Sequence, residues 1–450
     1  MKVIRDLPAA KAFLQRQELW EADDLSPQLA QGITRVFGQR LSLTDAVYRI
    51  LKDVRRCGDK AVLDYTRRID GVEMEGLEVA REEREEAEAR VPKDVLDSLR
   101  FAAERIRDYQ HEARRYAVRD FQKCGLGQRV TPLERVGIYV PGGTGLYPST
   151  VLMTAIPARV AGVAEIALTT PPGKEGQIAP VVLAAANIAR VDRVFKVGGA
   201  QAIGALAFGT QTIPRVDKIF GPGNVFVQAA KRMVFGVVGI DTIQGPTEAV
   251  TIVDDSIDSG WCVADLLAQA EHDPESASIL ITTSLELARK VEEAVEDALR
   301  GAARETVMRQ SLDRYGAIIV VDTVEAAIEL SNLYAPEHLS LCVRDAHDYV
   351  PLIKNAGALF LGRHSTHVLG DYVAGPSHAL PTGGAARHSS ALGINDFLKV
   401  TSVIALSVED AGPLLRHGAT IARAEGFEAH ALALDVRSSE VAGRRERGKP

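Results

Sequence analysis

Short apolar runs rich in β-branched residues alternate with alanine-rich segments through the middle of the chain, from about residue 136 to residue 361. Runs this short are typical of strands buried on both faces of a sheet, and the segments between them have the length and spacing of helices. The strands that this pattern predicts are Ile166–Thr170, Val194–Val197, Lys218–Phe220, Val250–Val253, Ile279–Thr282, Ile318–Val321 and Ala358–Leu361. Strand and helix in alternation predict an α/β fold with parallel, doubly wound sheets.

The predicted strands fall into two blocks, residues 136–243 and residues 250–361, which are separated by glycine-rich turns. The chain has 450 residues, and a single hydrophobic core stops growing beyond about 250–300 residues. We therefore expect two α/β sheets with a cleft between them. Ahead of the first block, residues 42–115 show the apolar spacing of helices. Behind the second block we expect a helical appendage that ends in a charged tail.

Composition excludes several classes of function. The 53 Lys and Arg residues against 60 Asp and Glu residues give a net charge of −7 without a long basic stripe, so nucleic acid is not an expected partner. Four cysteines without a CxxC pair argue against a disulfide framework and a thiolate zinc site. The sequence also lacks the apolar stretch of a signal peptide or a membrane span. Together these features favour a cytoplasmic protein.

Three glycine-rich turns follow predicted strands of the first block. They are the segments 137–148 (GIYVPGGTGLYP), 197–204 (VGGAQAIG) and 220–225 (FGPGNV). Glycine lets a backbone approach a ligand closely, and exposed N–H groups in such turns can bind an anion. The dinucleotide motif G-x-G-x-x-G is absent, because Phe226 stands at its third glycine position. Each turn alone is more often structural, but together they predict a ligand site at the carboxyl ends of the strands.

Side chains that suit a metal ion occur in and after the second block. If residues 266–272 (LLAQAEH) form a helix, Gln269 and His272 lie on one face and can reach the same ion. Downstream, Asp371 and His430 offer a carboxylate and a second imidazole. Nitrogen and oxygen ligands without a thiolate suit zinc or manganese. A helix histidine that binds nothing is the commoner interpretation of the first segment taken alone.

Two further segments carry groups for proton transfer or for lining a pocket. Glu337 and His338 follow Pro336 where a loop meets an element. Such a pair can divide proton transfers, because histidine titrates near neutral pH and the pKa of a buried glutamate can be raised. A surface Glu-His dipeptide is the alternative. His378 lies in the loop 375–384, whose prolines and glycines hold it in place.

In this order, the motifs resemble the histidinol dehydrogenase family over residues 42–437. The blocks that carry the resemblance are VGIYVPGG (136–143), YPSTVLM (147–153), GPGN (221–224), ID (240–241), GPTE (245–248), QAEH (269–272), APEHL (335–339), LGDY (369–372), LPTGG (380–384), DFLK (396–399) and EGxxAH (425–430). The resemblance implies two Rossmann-like doubly wound domains with small helical N- and C-terminal elements. The implied bounds are 1–30 for the N-terminal helical element, 31–138 with 247–392 for the first Rossmann-like domain, 139–246 for the second, NAD-binding domain, and 393–450 for the C-terminal helical element.

The resemblance further implies an enzyme that uses one Zn²⁺ per subunit and NAD to oxidise L-histidinol to L-histidine through L-histidinaldehyde, the last reaction of histidine biosynthesis. Family members are homodimers in which the C-terminal element completes the partner's site. By the same resemblance Glu337 and His338 are the catalytic pair, with His338 as the general base that also contacts the substrate. The other implied site residues are the zinc ligands Gln269, His272, Asp371 and His430, which also bind the substrate, the substrate contacts Thr247, His378 and Glu425, and the NAD contacts Tyr139, Gln201 and Asn224.

The chain departs from the family pattern near the expected pocket. Thr247 stands where serine is common, and Ser377 stands where asparagine is usual. His364 and His367 occupy a stretch that rarely carries two histidines. We interpret both of them, and His388, as exposed loop histidines.

Three other functions fit parts of the pattern. A paralogue with the same zinc and NAD machinery would oxidise another small alcohol such as a sulfonated diol, although the Glu425 carboxylate would repel a sulfonate. A metal-dependent hydrolase could use Gln, His and Asp ligands beside a Glu-His pair. A catalytically inactive binding protein is the third alternative, which the complete set of expected proton-transfer and ligand residues disfavours.

Overall fold

The computed structural model describes residues 1–15, 27–142 and 145–447, with side chains up to residue 439. Its helices are α1 (Leu7–Leu14), α2 (Pro27–Phe37), α3 (Leu43–Cys57), α4 (Asp59–Asp70), α5 (Arg81–Ala89), α6 (Lys93–Arg115), α7 (Pro148–Ala161), α8 (Pro180–Ile188), α9 (Gly199–Phe208), α10 (Val225–Val234), α11 (Ser259–Ala270), α12 (Leu285–Leu299), α13 (Glu305–Tyr315), α14 (Val324–Tyr334), α15 (His367–Tyr372), α16 (Val408–Ala424) and α17 (Glu428–Arg447). Its strands are β1 (Lys2–Ile4), β2 (Phe121–Lys123), β3 (Leu126–Pro132), β4 (Arg135–Tyr139), β5 (Glu165–Thr170), β6 (Arg193–Lys196), β7 (Lys218–Phe220), β8 (Gly239–Ile240), β9 (Glu248–Val253), β10 (Ala277–Thr282), β11 (Ala317–Val320), β12 (His338–Cys342), β13 (Ala358–Leu361) and β14 (Leu398–Ile404). In none of the described helices are length and apolar composition sufficient for crossing a bilayer.

The chain divides into two compact units. The first comprises Met1–Arg115 and Leu133–Phe397, and the second comprises Tyr116–Pro132 and Leu398–Pro450. Both large parallel sheets lie in the first unit.

The first of these sheets has six parallel strands in the order β1-β11-β10-β9-β12-β13. From β9 the chain adds β10 and β11 on one side and β12 and β13 on the other, which is the doubly wound arrangement. Strands β9 and β10 are buried along their whole length. Their apolar runs are continuous because helices cover both faces of the sheet.

The second sheet has five parallel strands in the order β6-β5-β4-β7-β8. It repeats the doubly wound order about β4, since β5 and β6 lie on one side and β7 and β8 on the other. The seven strands predicted from the sequence coincide with observed strands to within two residues at each end. The predicted α/β fold class is therefore confirmed.

Helices α3 to α6 pack with the second sheet and its helices α7 to α10. The expected domain bounds grouped residues 31–138, which include these helices, with residues 247–392. They therefore placed the helices with the first sheet. The apolar stripe of α3, which includes Leu51 and Val54, shares a core with the alanine-rich α9. Gly204 of α9 permits this approach, because a Cβ there would lie 3.1 Å from a Leu51 methyl carbon. The large side chains of α3 thus pack against a surface of small residues on α9.

The N-terminal segment, expected as a helical element over residues 1–30, also contributes a strand. Its first residues form β1, which extends the first sheet by pairing with β11. Helix α1 follows and buries Ala10 and Leu14 in the core of that sheet. Residues 16–26 lie outside the described residues. A three-residue edge strand carries too few apolar side chains to be visible in the sequence.

The second unit contains a small antiparallel sheet as well as helices. Strand β3 pairs with β2 on one side and with β14 on the other. Helices α16 and α17 pack on each other around Ala419, Ala422 and Ala431. Residues 393–450, expected as a helical element, thus also contribute β14. Its residues are largely exposed, so it lacks the buried apolar run by which the other strands were predicted.

Candidate active site

Two neighbouring strands bring the expected catalytic pair next to Thr247. Strand β9 begins at Glu248 and β12 at His338, and their parallel pairing sets His338 opposite Ala249. Thr247 and Glu337, the residues before each strand, therefore meet at the amino edge of the first sheet. Glu337 is 7% exposed and His338 is 4% exposed. The surface-dipeptide alternative for this pair is thereby excluded.

One oxygen of the Glu337 carboxylate accepts two hydrogen bonds. The Thr247 hydroxyl donates to Oε2 at 2.6 Å, and the Glu248 backbone N–H donates to it at 3.0 Å. Burial raises the pKa of Glu337 to about 7, although His338 and these two donors favour the charged form. A carboxyl group with a pKa near neutrality can both accept and release a proton.

His338 lies between two carboxylates. Its Nδ1 is 3.6 Å from Glu337 Oε2 and 3.3 Å from the Glu248 carbonyl oxygen, and its Nε2 is 3.4 Å from Asp371 Oδ1. Burial disfavours the charged imidazole, but Glu337 and Asp371 outweigh it and raise the pKa of His338 to about 9. The ring also stacks on Phe360, with 6.0 Å between centroids. The two carboxylates therefore stabilise the imidazolium that forms when His338 accepts a proton.

Three of the four expected metal ligands belong to the first unit. Gln269 lies in the last turn of α11, His272 follows that helix and is exposed, and Asp371 lies in α15. Gln269 is 1% exposed, and its Nε2 donates to the Thr247 hydroxyl oxygen at 3.1 Å. Its Oε1, in contrast, is buried without a hydrogen-bond partner. A buried amide oxygen without a donor is unfavourable, and a cation would satisfy it.

The chemistry of this donor set fits a zinc ion. An amide oxygen, an imidazole and a carboxylate are ligands that zinc or manganese accepts. Over the parts of the chain that the structure describes, His, Cys, Asp and Glu side chains form no group of three or more arranged to hold a metal. His272 and Asp371 alone are thus an incomplete set of metal ligands.

His378 is held in one orientation by two hydrogen bonds. Its Nδ1 is 2.7 Å from the Asp371 carbonyl oxygen, which can only accept, so Nδ1 carries a hydrogen. Its Nε2 lies 3.3 Å from the hydroxyl of Thr150 in α7. Burial lowers the pKa of His378 and favours the neutral ring. The neighbouring Ser377 donates to the Met153 carbonyl oxygen at 3.0 Å, so the serine at this position ties the loop to α7.

The three expected NAD contacts lie at the carboxyl edge of the second sheet. The Tyr139 hydroxyl accepts from the first backbone N–H of α9 at 3.1 Å, and burial raises the pKa of Tyr139 to about 12. Gln201 is fully buried, and neither atom of its amide has a hydrogen-bond partner. Asn224 caps α10 through Oδ1, which accepts from two backbone N–H groups. Residues 143–144 of the first glycine-rich turn lie outside the described residues.

Glu425 and His430, the other expected site residues, belong to the second unit. Glu425 is the C-terminal cap of α16, and His430 lies in the first turn of α17. The His430 ring is 5.3 Å from that of Phe427, centroid to centroid. Both site residues are exposed. Their roles in binding zinc and substrate stay predictions.

His367 lies beside His338, a placement that the sequence interpretation missed. Its expected place was an exposed loop, but it opens α15 four residues before Asp371 and is 1% exposed. Its ring centroid is 5.6 Å from that of His338, and neither of its nitrogens has a hydrogen-bond partner. Burial lowers the pKa of His367 to about 4. The four-residue spacing to Asp371 was the available signal, whereas His364 and His388 are exposed as expected.

Comparison with known proteins shows which family this chain resembles. The family model for histidinol dehydrogenase matches residues 35–438. Histidinol dehydrogenases from two strains of Dehalococcoides mccartyi are 50% identical over 388 residues, covering 86% of this chain and 89% of the relative, and 48% identical over 437 residues, covering 96% and 99%. The crystal structure of histidinol dehydrogenase from Elizabethkingia anophelis matches with a TM-score of 0.87 and 33% identity, covering 98% of each chain. This chain therefore belongs to the histidinol dehydrogenase family.

Proposed function

We propose that this chain oxidises L-histidinol to L-histidine in two NAD-dependent steps, with L-histidinaldehyde between them. The observation that carries the proposal is the buried cluster in which Thr247 contacts Glu337 while His338 contacts Asp371. Oxidation of an alcohol requires a base at the hydroxyl group, and a histidine held between two carboxylates supplies one. The family match over most of the chain supports histidinol as the alcohol.

The proposed zinc ligands are Gln269, His272 and Asp371, with His430 as the fourth. The unpartnered Oε1 of Gln269 supports this assignment, since a cation is what the buried oxygen lacks. When bound, zinc would fix the amino and imidazole nitrogens of histidinol and so orient the alcohol carbon. The proposed zinc ligands and the proposed catalytic pair are in contact, because His338 Nε2 lies 3.4 Å from Asp371 Oδ1.

The proposed NAD contacts are Tyr139, Gln201 and Asn224. Support comes from their common place at the carboxyl edge of a doubly wound sheet, where such folds bind nucleotides. The buried amide of Gln201 has donors and an acceptor without partners, which a ligand can satisfy. Asn224 uses Oδ1 as a helix cap, so its Nδ2 is the atom left for NAD, which accepts a hydride in each oxidation when bound.

The proton steps are assigned to His338 and Glu337. In the first oxidation His338 takes the hydroxyl proton, and the carboxylates of Glu337 and Asp371 stabilise the resulting imidazolium. In the second oxidation Glu337 or His338 takes a proton from the water that adds to the aldehyde carbon. The pKa of Glu337, about 7, suits this exchange. Burial of the pair limits access of bulk water while the aldehyde is held.

We further propose a homodimer in which the second unit of one subunit completes the site of the other. Among the described residues of that unit, the buried core consists of Ala419, Ala422 and Ala431 with the partly buried Leu434 packed against them. This core is too small to stabilise the unit alone. Large apolar side chains remain 42–79% exposed there, a sign of a protein interface. They are Tyr116, Val118, Phe121, Leu126, Val400, Ile404, Leu414, Ile421, Phe427, Leu432 and Val436. A second copy that covers them would also place Glu425 and His430 in a shared site.

Counting the NADH formed for each histidinol consumed tests the proposed reaction. Two oxidations on one enzyme give a ratio of two with histidine as the product. A ratio of one with accumulation of the aldehyde would contradict the proposal. Dihydroxypropanesulfonate serves as the competing alcohol, and turnover of that compound without turnover of histidinol would favour the paralogue. Hydrolysis of an ester or amide without any NADH would favour the metal-dependent hydrolase.

A further inference from the structure

A buried ion pair holds the glycine turn that follows β7. Lys231 of α10 and Asp241, directly after β8, form an ion pair with side chains that are 2% and 6% exposed. Both residues also bind Gly221. Lys231 Nζ donates to the Gly221 carbonyl oxygen at 3.0 Å, and Asp241 Oδ2 accepts from the Gly221 N–H at 2.8 Å. The pair therefore satisfies both polar groups of the residue that begins the turn.

The conformation of Gly221 explains why these two hydrogen bonds are needed. Its φ is +112°, and a Cβ at this position would lie 2.0 Å from the Tyr139 carbonyl oxygen. Glycine is required here, but glycine also has the largest choice of backbone conformations. The two hydrogen bonds to the ion pair select one of them. The turn then reaches Asn224, the cap of α10, within three residues.

The ion pair contributes more to fixing the conformation of the turn than to the stability of the fold. Removing two charges from water largely offsets their attraction, and an apolar replacement is often neutral or stabilising. The best-attested use of buried charges is to fix one arrangement among several. Because the charges of Lys231 and Asp241 cancel, the pair offers no net charge to the phosphates of a nucleotide. Any effect on a ligand must therefore pass through the backbone of the turn.

We propose that Lys231 and Asp241 are positioning residues for NAD, which hold the Gly221–Asn224 turn in its binding conformation. This inference rests on the proposed use of NAD. Without the pair, the turn would sample other conformations, and binding would have to reorder it. Histidinol affinity should change little, because the proposed substrate contacts of the first unit lie at the amino edge of the other sheet.

Calorimetric titration of NAD into the zinc-loaded enzyme tests the proposal, together with kcat and both KM values. Lys231→Met removes the donor to the Gly221 carbonyl and keeps a long side chain. We expect the Kd for NAD to rise about tenfold or more, the typical effect of losing a charged hydrogen bond. The KM for histidinol and kcat at saturating NAD should stay within about twofold. Lys231→Arg, which retains a charged donor, should recover part of the affinity.

Two further variants separate positioning from folding. Lys231→Met combined with Asp241→Asn removes both charges but keeps an acceptor for the Gly221 N–H, and we expect a near wild-type Tm with the same loss of NAD affinity. The control pair, Arg135 and Glu165, lies at the opposite edge of the same sheet with 2.6 Å between Nε and Oε2. Arg135→Met with Glu165→Gln should leave the Kd for NAD unchanged.

An unchanged Kd for NAD in the folded Lys231 variants would overturn the proposal. An equal weakening of histidinol binding would overturn it as well, because that result would indicate a general structural effect. If the wild-type enzyme itself fails to bind NAD, the proposed function is contradicted along with this inference. The wild-type titration distinguishes that outcome from a failure of the positioning pair alone.

Discussion

Thr247 and Glu337 are joined by a hydrogen bond of 2.6 Å from the threonine hydroxyl to the glutamate carboxylate. The same hydroxyl oxygen accepts from Gln269 Nε2 at 3.1 Å. One side chain therefore links the proposed catalytic pair to a proposed zinc ligand. Threonine in place of the commoner serine retains both hydrogen bonds and adds a methyl group.

Thr247→Val is expected to lower kcat/KM for histidinol about 10- to 100-fold, because a hydrogen bond to a charged group contributes roughly 1.5–3 kcal/mol. Loss of the donor should also raise the pKa of Glu337 above its value of about 7. Thr247→Ser keeps the hydroxyl and should remain within about threefold of the wild type. Steady-state rates across neutral pH check both variants. Equal activity of the valine and serine variants would show that the reaction does not use this hydrogen bond.

Gln269→Leu is expected to weaken zinc binding by more than about tenfold, since even partners outside the ligand shell change metal affinity 10- to 100-fold. Titration with a competing chelator measures the affinity. Gln110 offers a matched control, because it is also a buried helix glutamine whose Oε1 has no hydrogen-bond partner. Gln110→Leu should leave zinc affinity unchanged. Equal zinc affinity in the Gln269 variant and the wild type would remove Gln269 from the ligand set.

The sheets could be predicted from the sequence because buried parallel strands produce short, continuous apolar runs. Strand β12 is one exception within the first sheet. It is fully buried, but its sequence begins with His338 and contains Ser340, so its apolar run is interrupted. Strands β1 and β14 were also missed, since one is three residues long and the other is largely exposed.

The site could be predicted less completely, because its contacts depend on strand order. Glu337 and His338 are adjacent in sequence, so their pairing was visible. The contact of Glu337 with Thr247 exists because β12 lies beside β9, a neighbour relation that no local pattern encodes. The burial of His367 depends on the packing of α15 in the same way, and the exposed-loop interpretation of that residue was wrong.

His367→Phe is expected to change how stability depends on pH. Burial lowers the pKa of His367 to about 4, whereas an unfolded histidine titrates near 6.5. Between about pH 6.5 and pH 4 this histidine is protonated in the unfolded chain but neutral in the folded chain. The free energy of unfolding therefore falls as the pH drops through this range. Phenylalanine has no titrating group. Over that range the free energy of unfolding of the variant should therefore fall by up to about 3 kcal/mol less than that of the wild type.

Urea unfolding of metal-free protein at several pH values measures this difference. The variant should be at least as stable as the wild type at neutral pH, because an imidazole without hydrogen bonds is replaced by an apolar ring. His388→Phe is the control, since His388 is exposed and should leave the pH dependence unchanged. The same pH dependence in the His367 variant and the wild type would show that this imidazole is not held neutral by folding.

Mixing two inactive variants tests whether active sites are shared between subunits. His338→Asn should abolish turnover while zinc and histidinol still bind, and His430→Ala should weaken zinc binding. In a shared-site homodimer, a mixed dimer has one site with both defects and one site with neither. Random reassortment makes about half of the dimers mixed, so activity should recover to about a quarter of the wild-type value. No recovery after confirmed subunit exchange would show that each site belongs to one chain, and that His430 acts within its own subunit or not at all.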